Sequence, residues 1–293
     1  MSEFLRTLPD GRVFVDYGPV SMVITARRQG TPLPELAEAA FPLIEASLAE
    51  IAGELPRLRL PSGAGDFSQL EGLPRVMAEA VLSAGEESLT PMAAVAGTLA
   101  DAVADWLFAN GADVAVVNNG GDVALRLGPG QQLRMGILPE LEGGLSQVVT
   151  LRAEDGIGGV CTSGLGGRSL TRGIASAVSV FSRRCAVADA CATHIANCSY
   201  LSSPRVHTCL AGDLEPESDI AGLTIVRQVD PLEEAEIRQG LEQIRQEARR
   251  QYERGNLLYA AADIQGRNIW VPKALERGTG LRKGERNPPE EGT

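Results

Sequence analysis

Apolar and polar positions alternate from Arg12 to Tyr17 and again from Ser21 to Ala26, with Gly18-Pro19 between them, which predicts an opening hairpin. From Pro34 to Ile51 the period becomes helical. Leu36, Ala40, Leu43, Ile44, Leu48 and Ile51 share one face, Gly53 and Pro56 supply a stop, and Pro42 is expected to kink or divide the helix. Residues 57–70 read as loop. Leu73 to Ala84 is a short helix and Pro91 to Phe108 a stronger one, with Thr90 as N-cap, Pro91 at its first position and Asn110-Gly111 at its end. Strand signals crowd residues 113–182: Val114 to Val117, Val123 to Leu127, Leu133 to Leu138, Gln147 to Leu151 and Ala177 to Phe181. An Ala-rich helix from Ala186 to Asn197 and a long charged one from Leu232 to Asn256 follow, then strand-like runs at Leu257 to Ala261 and Asn268 to Val271. The pattern predicts an α+β fold with a mixed, largely antiparallel sheet packed with helices. We expect one domain over residues 1–273 and a disordered tail over 274–293.

Composition narrows the partners. In 293 residues, Lys+Arg 27 against Asp+Glu 38 leaves a net charge of −11, which repels nucleic acid and anionic membrane surfaces. The lysines are Lys273 and Lys283, both beyond the last convincing strand, so no lysine chemistry is expected in the core. The N-terminus shows no basic stretch followed by an apolar run, and no segment reaches the roughly 18–20 uninterrupted apolar residues of a membrane span, so a cytoplasmic protein is expected. The five cysteines, with no CxxC among them, read as free thiols.

Projected at about 100° per residue, the helix around Asp189 puts Asp189, Thr193 and Asn197 on one polar side and Val187, Cys191, Ile195 and Cys198 opposite. An Asp and a Thr one turn apart can offer oxygen ligands to Mg²⁺, or simply form a solvated face. Cys191 and Cys198 read as small core hydrophobes, and His194 as structural on the apolar side. Asn118-Asn119-Gly120-Gly121-Asp122 suits a tight turn with positive φ. Its glycine amides could approach a phosphate, with Asp122 accepting from a ligand donor. Cys161-Thr162-Ser163-Gly164 leads a second glycine-rich stretch, read as a turn with Cys161 open to ligand or oxidant and Arg168 able to make a bidentate contact. The chain lacks a Walker motif, a Gly-x-Gly-x-x-Gly and a Gly-x-Ser-x-Gly. The start of the helix at 91, rich in Ala and Gly, offers either tight helix packing or an anion site.

In order, Thr90-Pro-Met-Ala-Ala-Val-Ala-Gly97 with Ala100-Asp101, Asn118-Asn-Gly-Gly-Asp122, Thr162-Ser-Gly164 and Ala188-Asp-Ala-Cys-Ala-Thr193 resemble the ApbE superfamily over roughly residues 10–265. The nearest resemblance is to the short cytoplasmic ApbE-like family with the Pro-Met-Ala-Ala-Val-Ala-Gly motif. It implies Mg²⁺ held by Asp189, Thr193 and the carbonyl of Val95. It also implies a flavin nucleotide, FAD or FMN, bordered by Asn119, Gly120, Gly121, Asp122, Thr162, Ser163 and Gly164. The implied reaction is FMN transfer from FAD to a Thr of an acceptor protein. Two departures stand out: Ala96 replaces the family's Lys, and the His-x-x-Asp-Pro-x-x-Gly segment after Thr-Ser-Gly is missing. The resemblance therefore implies binding of a phosphorylated ligand with Mg²⁺ and leaves transfer open. The alternative is a non-catalytic or accessory protein on the same scaffold, for example in sulfur metabolism, with Cys161 as its distinctive group.

Overall fold

The structure is a computed structural model that describes residues 3–137, 147–167, 169–272 and 282–284. The chain begins with β1 (Leu5–Thr7), β2 (Val13–Tyr17), β3 (Val20–Arg28) and β4 (Thr31–Pro32), followed by α1 (Pro34–Glu38), α2 (Phe41–Gly53), α3 (Leu55–Leu58) and α4 (Gly72–Ala84). A 3₁₀ turn (Pro91–Ala94) leads into α5 (Val95–Ala109), and β5 (Val114–Asn119), β6 (Asp122–Leu127), β7 (Gln132–Ile137), β8 (Gln147–Arg152), β9 (Gly159–Ser163) and β10 (Ala177–Ser182) come next. The remainder is α6 (Cys185–Asn197), β11 (Val206–Leu210), β12 (Thr224–Val229), α7 (Glu234–Glu253), β13 (Tyr259–Ile264), β14 (Arg267–Val271) and β15 (Arg282–Gly284).

The main sheet runs β1-β2-β3-β5-β6-β9-β10-β13-β14, with β4 attached to β3, and its neighbours pair antiparallel. Side chains on a strand point alternately to the two faces, so each strand here feeds two cores. Ala115, Val117, Ala124, Cys161, Val178, Val180 and Ala262 face the helices. Leu125, Val160 and Phe181 face the other way, onto Met135, Val149 and Leu151 of the small sheet β15-β8-β7. On the helical side α5 lies against β5 and β6, α6 against β9 and β10, α4 against α6, and α7 across β13 and β14.

Small residues let α5 and α6 approach closely. A Cβ on Gly97 would lie 2.5 Å from the Cys185 carbonyl oxygen, and one on Gly159 would lie 2.2 Å from the Cys185 Cα. The helix starts then cap each other, because the first-turn N–H groups of an α-helix have no partner within it. Asp189 of α6 accepts from Gly97 N–H of α5 at 2.9 Å, and Asp101 of α5 accepts from Ala186 N–H of α6 at 3.1 Å. Asp101 is 1% exposed and also receives Arg126 of β6 at 2.7 Å, while Arg184 reaches both Asp101 and Asp105. The segment Pro91–Ala109 has the length and apolarity of a membrane span, and here it is a core helix with ion pairs folded into its flank.

The hairpin, the division of the helix at Pro42 and the Gly-Gly turn match the sequence expectations. Several details differ. Thr90 makes no side-chain cap, its hydroxyl bonding Asp219 instead, and the first turn of the expected helix at 91 is 3₁₀. Residues 57–70 include the end of α3. Strands β1, β9, β11 and β12 were not apparent in the pattern, β9 because its glycine and hydroxyl residues read as a turn. Within the expected tail, Arg282–Gly284 pairs with β8, while residues 273–281 and 285–293, and Leu138, lie outside the described residues.

Gly97→Ala should destabilise the fold by about 1–3 kcal/mol, since backbone and not a flexible side chain meets the added methyl. Gly53→Ala, at the last residue of α2 with open space around it, should be neutral or stabilising by up to ~1 kcal/mol. Urea denaturation of the two variants checks the contrast.

Candidate functional site

The candidate site forms where the β5–β6 turn meets the start of α5 and the middle of α6. Asn119 and Asp122 are the last register pair of the hairpin, joined by Gly120 and Gly121 at φ +68° and +117°. Only glycine takes such angles back to back at no cost. Asn119 shares the parity of Val117 and turns toward the helices, where its amide donates to the Ala96 carbonyl at 3.2 Å. Asp122 shares the parity of Ala124 and also faces the helices. Asp189 comes from α6 and is held by Gly97 N–H.

The two carboxylates sense each other. Burial lifts Asp122 to about 6, against the pull of the Cys161 side chain and the Thr162 N–H. Burial, followed by the Asp122 charge, lifts Asp189 well above the usual carboxylate range, against the pull of Gly97 N–H. Among the described residues neither is paired with an arginine, lysine or histidine. Two desolvated, mutually repelling carboxylates favour either a proton or a cation between them. The donors are oxygens, which suits a hard divalent ion of the Mg²⁺ type.

Thr193 follows Asp189 by one turn of α6 and is partly exposed, as is Asn197. Val95 is the first residue of α5, directly after the 3₁₀ turn, so its carbonyl lies two residues before the Gly97 N–H that Asp189 accepts. Ser163 shares the helix-facing parity of Cys161 and is 7% exposed. The Thr162 side chain belongs to the opposite face of β9 and bonds Ser179 Oγ at 2.7 Å, so its backbone N–H is the group that reaches Asp122. Gly164 takes φ +136° against the carbonyls of Ala175 and Ser176. Gly120 and Gly121 have open space above them. Arg168 lies outside the described residues. A cavity of about 470 Å³ opens at the Thr90 end of the 3₁₀ turn, lined in part by Glu87, Ser88, Thr90 and Asp219. Asp122 and Asp189 are not in that lining, so the site rests on the carboxylate pair and not on cavity volume.

All five cysteines are free, as the sequence suggested. The turn expected at Cys161 is a central strand. Cys161 is fully buried, its Sγ 3.4 Å from both the Sγ and the carbonyl oxygen of Cys185. Burial pushes its thiol well up and that of Cys185 to about 12, so neither is a nucleophile. His194 is buried, as its place toward the apolar side suggested, and its partners there are polar, Glu247 at 3.0 Å and Glu86 at 3.8 Å. Burial opposes charge on that imidazole, yet contacts from Cys198 and Glu247 hold it up at about 9. Cys198 is partly exposed beside His194 and not sealed in the core. The i, i+4 spacing of His194 and Cys198 was visible in sequence, whereas the two glutamates arrive from α7 and from the loop after α4.

Among similar proteins, a UPF0280 protein from Methanosarcina acetivorans is 34% identical over 128 residues, 43% of this chain and 50% of that protein. One from Methanosphaerula palustris is 40% identical over 117 residues, 39% and 48% of the two chains. The chain thus spans about half the length of the curated relatives it matches. Among solved structures, the flavinyl transferase ApbE of Pseudomonas stutzeri in its apo form aligns with TM-score 0.46 and 14% identity over 86% of this chain and 90% of that one. The flavin transferase ApbE of Vibrio cholerae aligns with TM-score 0.44 and 11% identity over 63% and 85%. The family model described as AbpE bacteria matches residues 5–270, and the chain belongs to that family as an ApbE-like superfamily member.

Proposed function

We propose that this protein binds a flavin nucleotide, or a related phosphorylated ligand, together with Mg²⁺ at the Asp122–Asp189 pair. The observation that carries the reading is that pair itself: two desolvated carboxylates, from β6 and α6, without a cationic side chain among the described residues. Family membership supports it. Asp189 and Asp122 would hold the ion, with the Thr193 hydroxyl and the Val95 carbonyl as further oxygens. When bound, Mg²⁺ supplies charge neutralisation at a pyrophosphate. The chain's own groups orient the ligand: Gly120 and Gly121 leave backbone open to close approach, and Asn119 fixes the Ala96 carbonyl at the start of α5.

On this reading the reaction is transfer of FMN from FAD to a Thr hydroxyl of an acceptor protein. The hydroxyl oxygen forms a bond to the FMN phosphorus, the pyrophosphate bond breaks, AMP leaves, and the hydroxyl proton passes to the departing phosphate or to solvent. Asp189→Ala should abolish Mg²⁺-dependent FAD binding in calorimetry of the purified chain. Unchanged affinity in that variant would sink the assignment. Asn119→Ala removes the bond to the Ala96 carbonyl and leaves Asp122 and Asp189 in place, so stability in urea denaturation should fall by about 0.5–1.5 kcal/mol, the worth of one hydrogen bond.

The accessory-protein alternative leaned on Cys161, and its burial removes that support. Alkylation of the native chain followed by peptide mass mapping should modify Cys198 and Cys209 and spare Cys161, Cys185 and Cys191. Rapid labelling at Cys161 would restore the alternative.

A further inference from the structure

His194 and Cys198 stand one turn apart at the C-terminal end of α6, with Cys198 at the helix C-cap. His194 is 6% exposed, and its two ring nitrogens face different partners. Nδ1 lies 3.9 Å from Cys198 Sγ and 3.8 Å from Glu86 Oε2, while Nε2 lies 3.0 Å from Glu247 Oε1. One ligand atom from each of His194, Cys198 and Glu247 lies within 4.8 Å of the others.

The Nδ1–Sγ separation is close to one edge of a metal site, and Nδ1 has the Glu86 carboxylate as its other neighbour. With metal–nitrogen bonds of about 2.0 Å and metal–sulfur bonds of about 2.3 Å, a tetrahedral nitrogen–sulfur edge is about 3.5 Å. The Nδ1–Sγ separation of 3.9 Å needs to close by only a few tenths of an ångström. The Glu86 carboxylate is already anchored through Oε1, which accepts from the Ser88 hydroxyl at 2.7 Å and the Ser88 N–H at 3.1 Å, and Oε2 is turned to the histidine. Glu247 is 6% exposed and braced by Arg250 at 2.9 Å and Gln251 at 2.8 Å. A braced carboxylate on the second ring nitrogen is the usual way a metal-binding imidazole is oriented and its tautomer fixed.

We propose that His194 Nδ1, Cys198 Sγ and a Glu86 carboxylate oxygen form a site for a borderline divalent cation of the zinc class, with Glu247 orienting the imidazole through Nε2–H. A fourth position is left to solvent, and the partly exposed Cys198 marks the entry side. Nitrogen, thiolate and carboxylate together select Zn²⁺ or Co²⁺ over Mg²⁺, which distinguishes this site from the Asp122–Asp189 pair. Binding releases the Nδ1 and thiol protons to solvent, so the charges balance. The proposal does not depend on the flavin reading.

Co²⁺ titrated into the full-length, reduced chain should give one equivalent of a thiolate-to-cobalt charge-transfer band with tetrahedral ligand-field bands. Zn²⁺ should displace them and excess Mg²⁺ should not. Cys198→Ser should remove the charge-transfer band, Asp189→Ala should retain it, and Glu247→Gln should weaken Co²⁺ about 10–100-fold. No charge-transfer band, or one that survives Cys198→Ser and is lost in Cys209→Ser, overturns the proposal. Should Cys198→Ser fail to fold, the unmodified chain still decides. Zn²⁺ should protect Cys198 and not Cys209 from alkylation, and equal labelling with and without Zn²⁺ overturns the site.

Discussion

The structure depends on the close contact between the starts of α5 and α6. Neither helix has a side chain capping its own N-terminus, and each borrows a carboxylate from the other: Asp101 for Ala186 N–H, Asp189 for Gly97 N–H. Caps of this kind are each worth about 0.5–2 kcal/mol, and anionic caps gain further from the helix dipole. They can form only because Gly97 and Gly159 let backbone meet backbone. The sheet order follows from the same contact, since β6 and β9 must lie side by side beneath the two helices.

The two capping carboxylates have different surroundings. Asp101 is neutralised by Arg126 and Arg184 and serves structure. Asp189 has Asp122 as its charged neighbour instead, and desolvation together with that charge raises its carboxyl well above the usual range. A site that withholds a counter-charge from a partly buried acid gives up stability, and such uncompensated groups cluster where ligands bind. Cys161 lies beside this pair but is enclosed, so it fills space in the core while its side chain favours the charged form of Asp122.

The C-terminal end of α6 follows a different logic. His194 and Glu247 form a buried, braced pair joining α6 to α7, with Cys198 and Glu86 completing a polar nest. Replacing a buried ion pair with apolar residues is often neutral or stabilising, so stability alone is a weak reason to keep one. The free-energy cost of keeping these polar groups directs attention to what they can hold.

The local pattern of the chain determined the α+β class, the Gly-Gly turn, the break at Pro42, and the placing of Asp189 and Thr193 away from Cys191 and Ile195 on α6. These are consequences of short-range periodicity and backbone freedom, which a one-dimensional pattern records. The motif order also pointed to the family. Strand β9 was hidden because glycine and hydroxyl residues signal turns locally, and only pairing with β6 and β10 gives them a strand's hydrogen bonds. Likewise the polar partners of His194 were hidden, because Glu247 is 53 residues on and Glu86 108 residues back. Side-chain environment depends on which segments meet in space. Only the tertiary structure therefore decided that Asp122 confronts Asp189, that Cys161 is sealed, and that His194, Cys198 and the two glutamates converge.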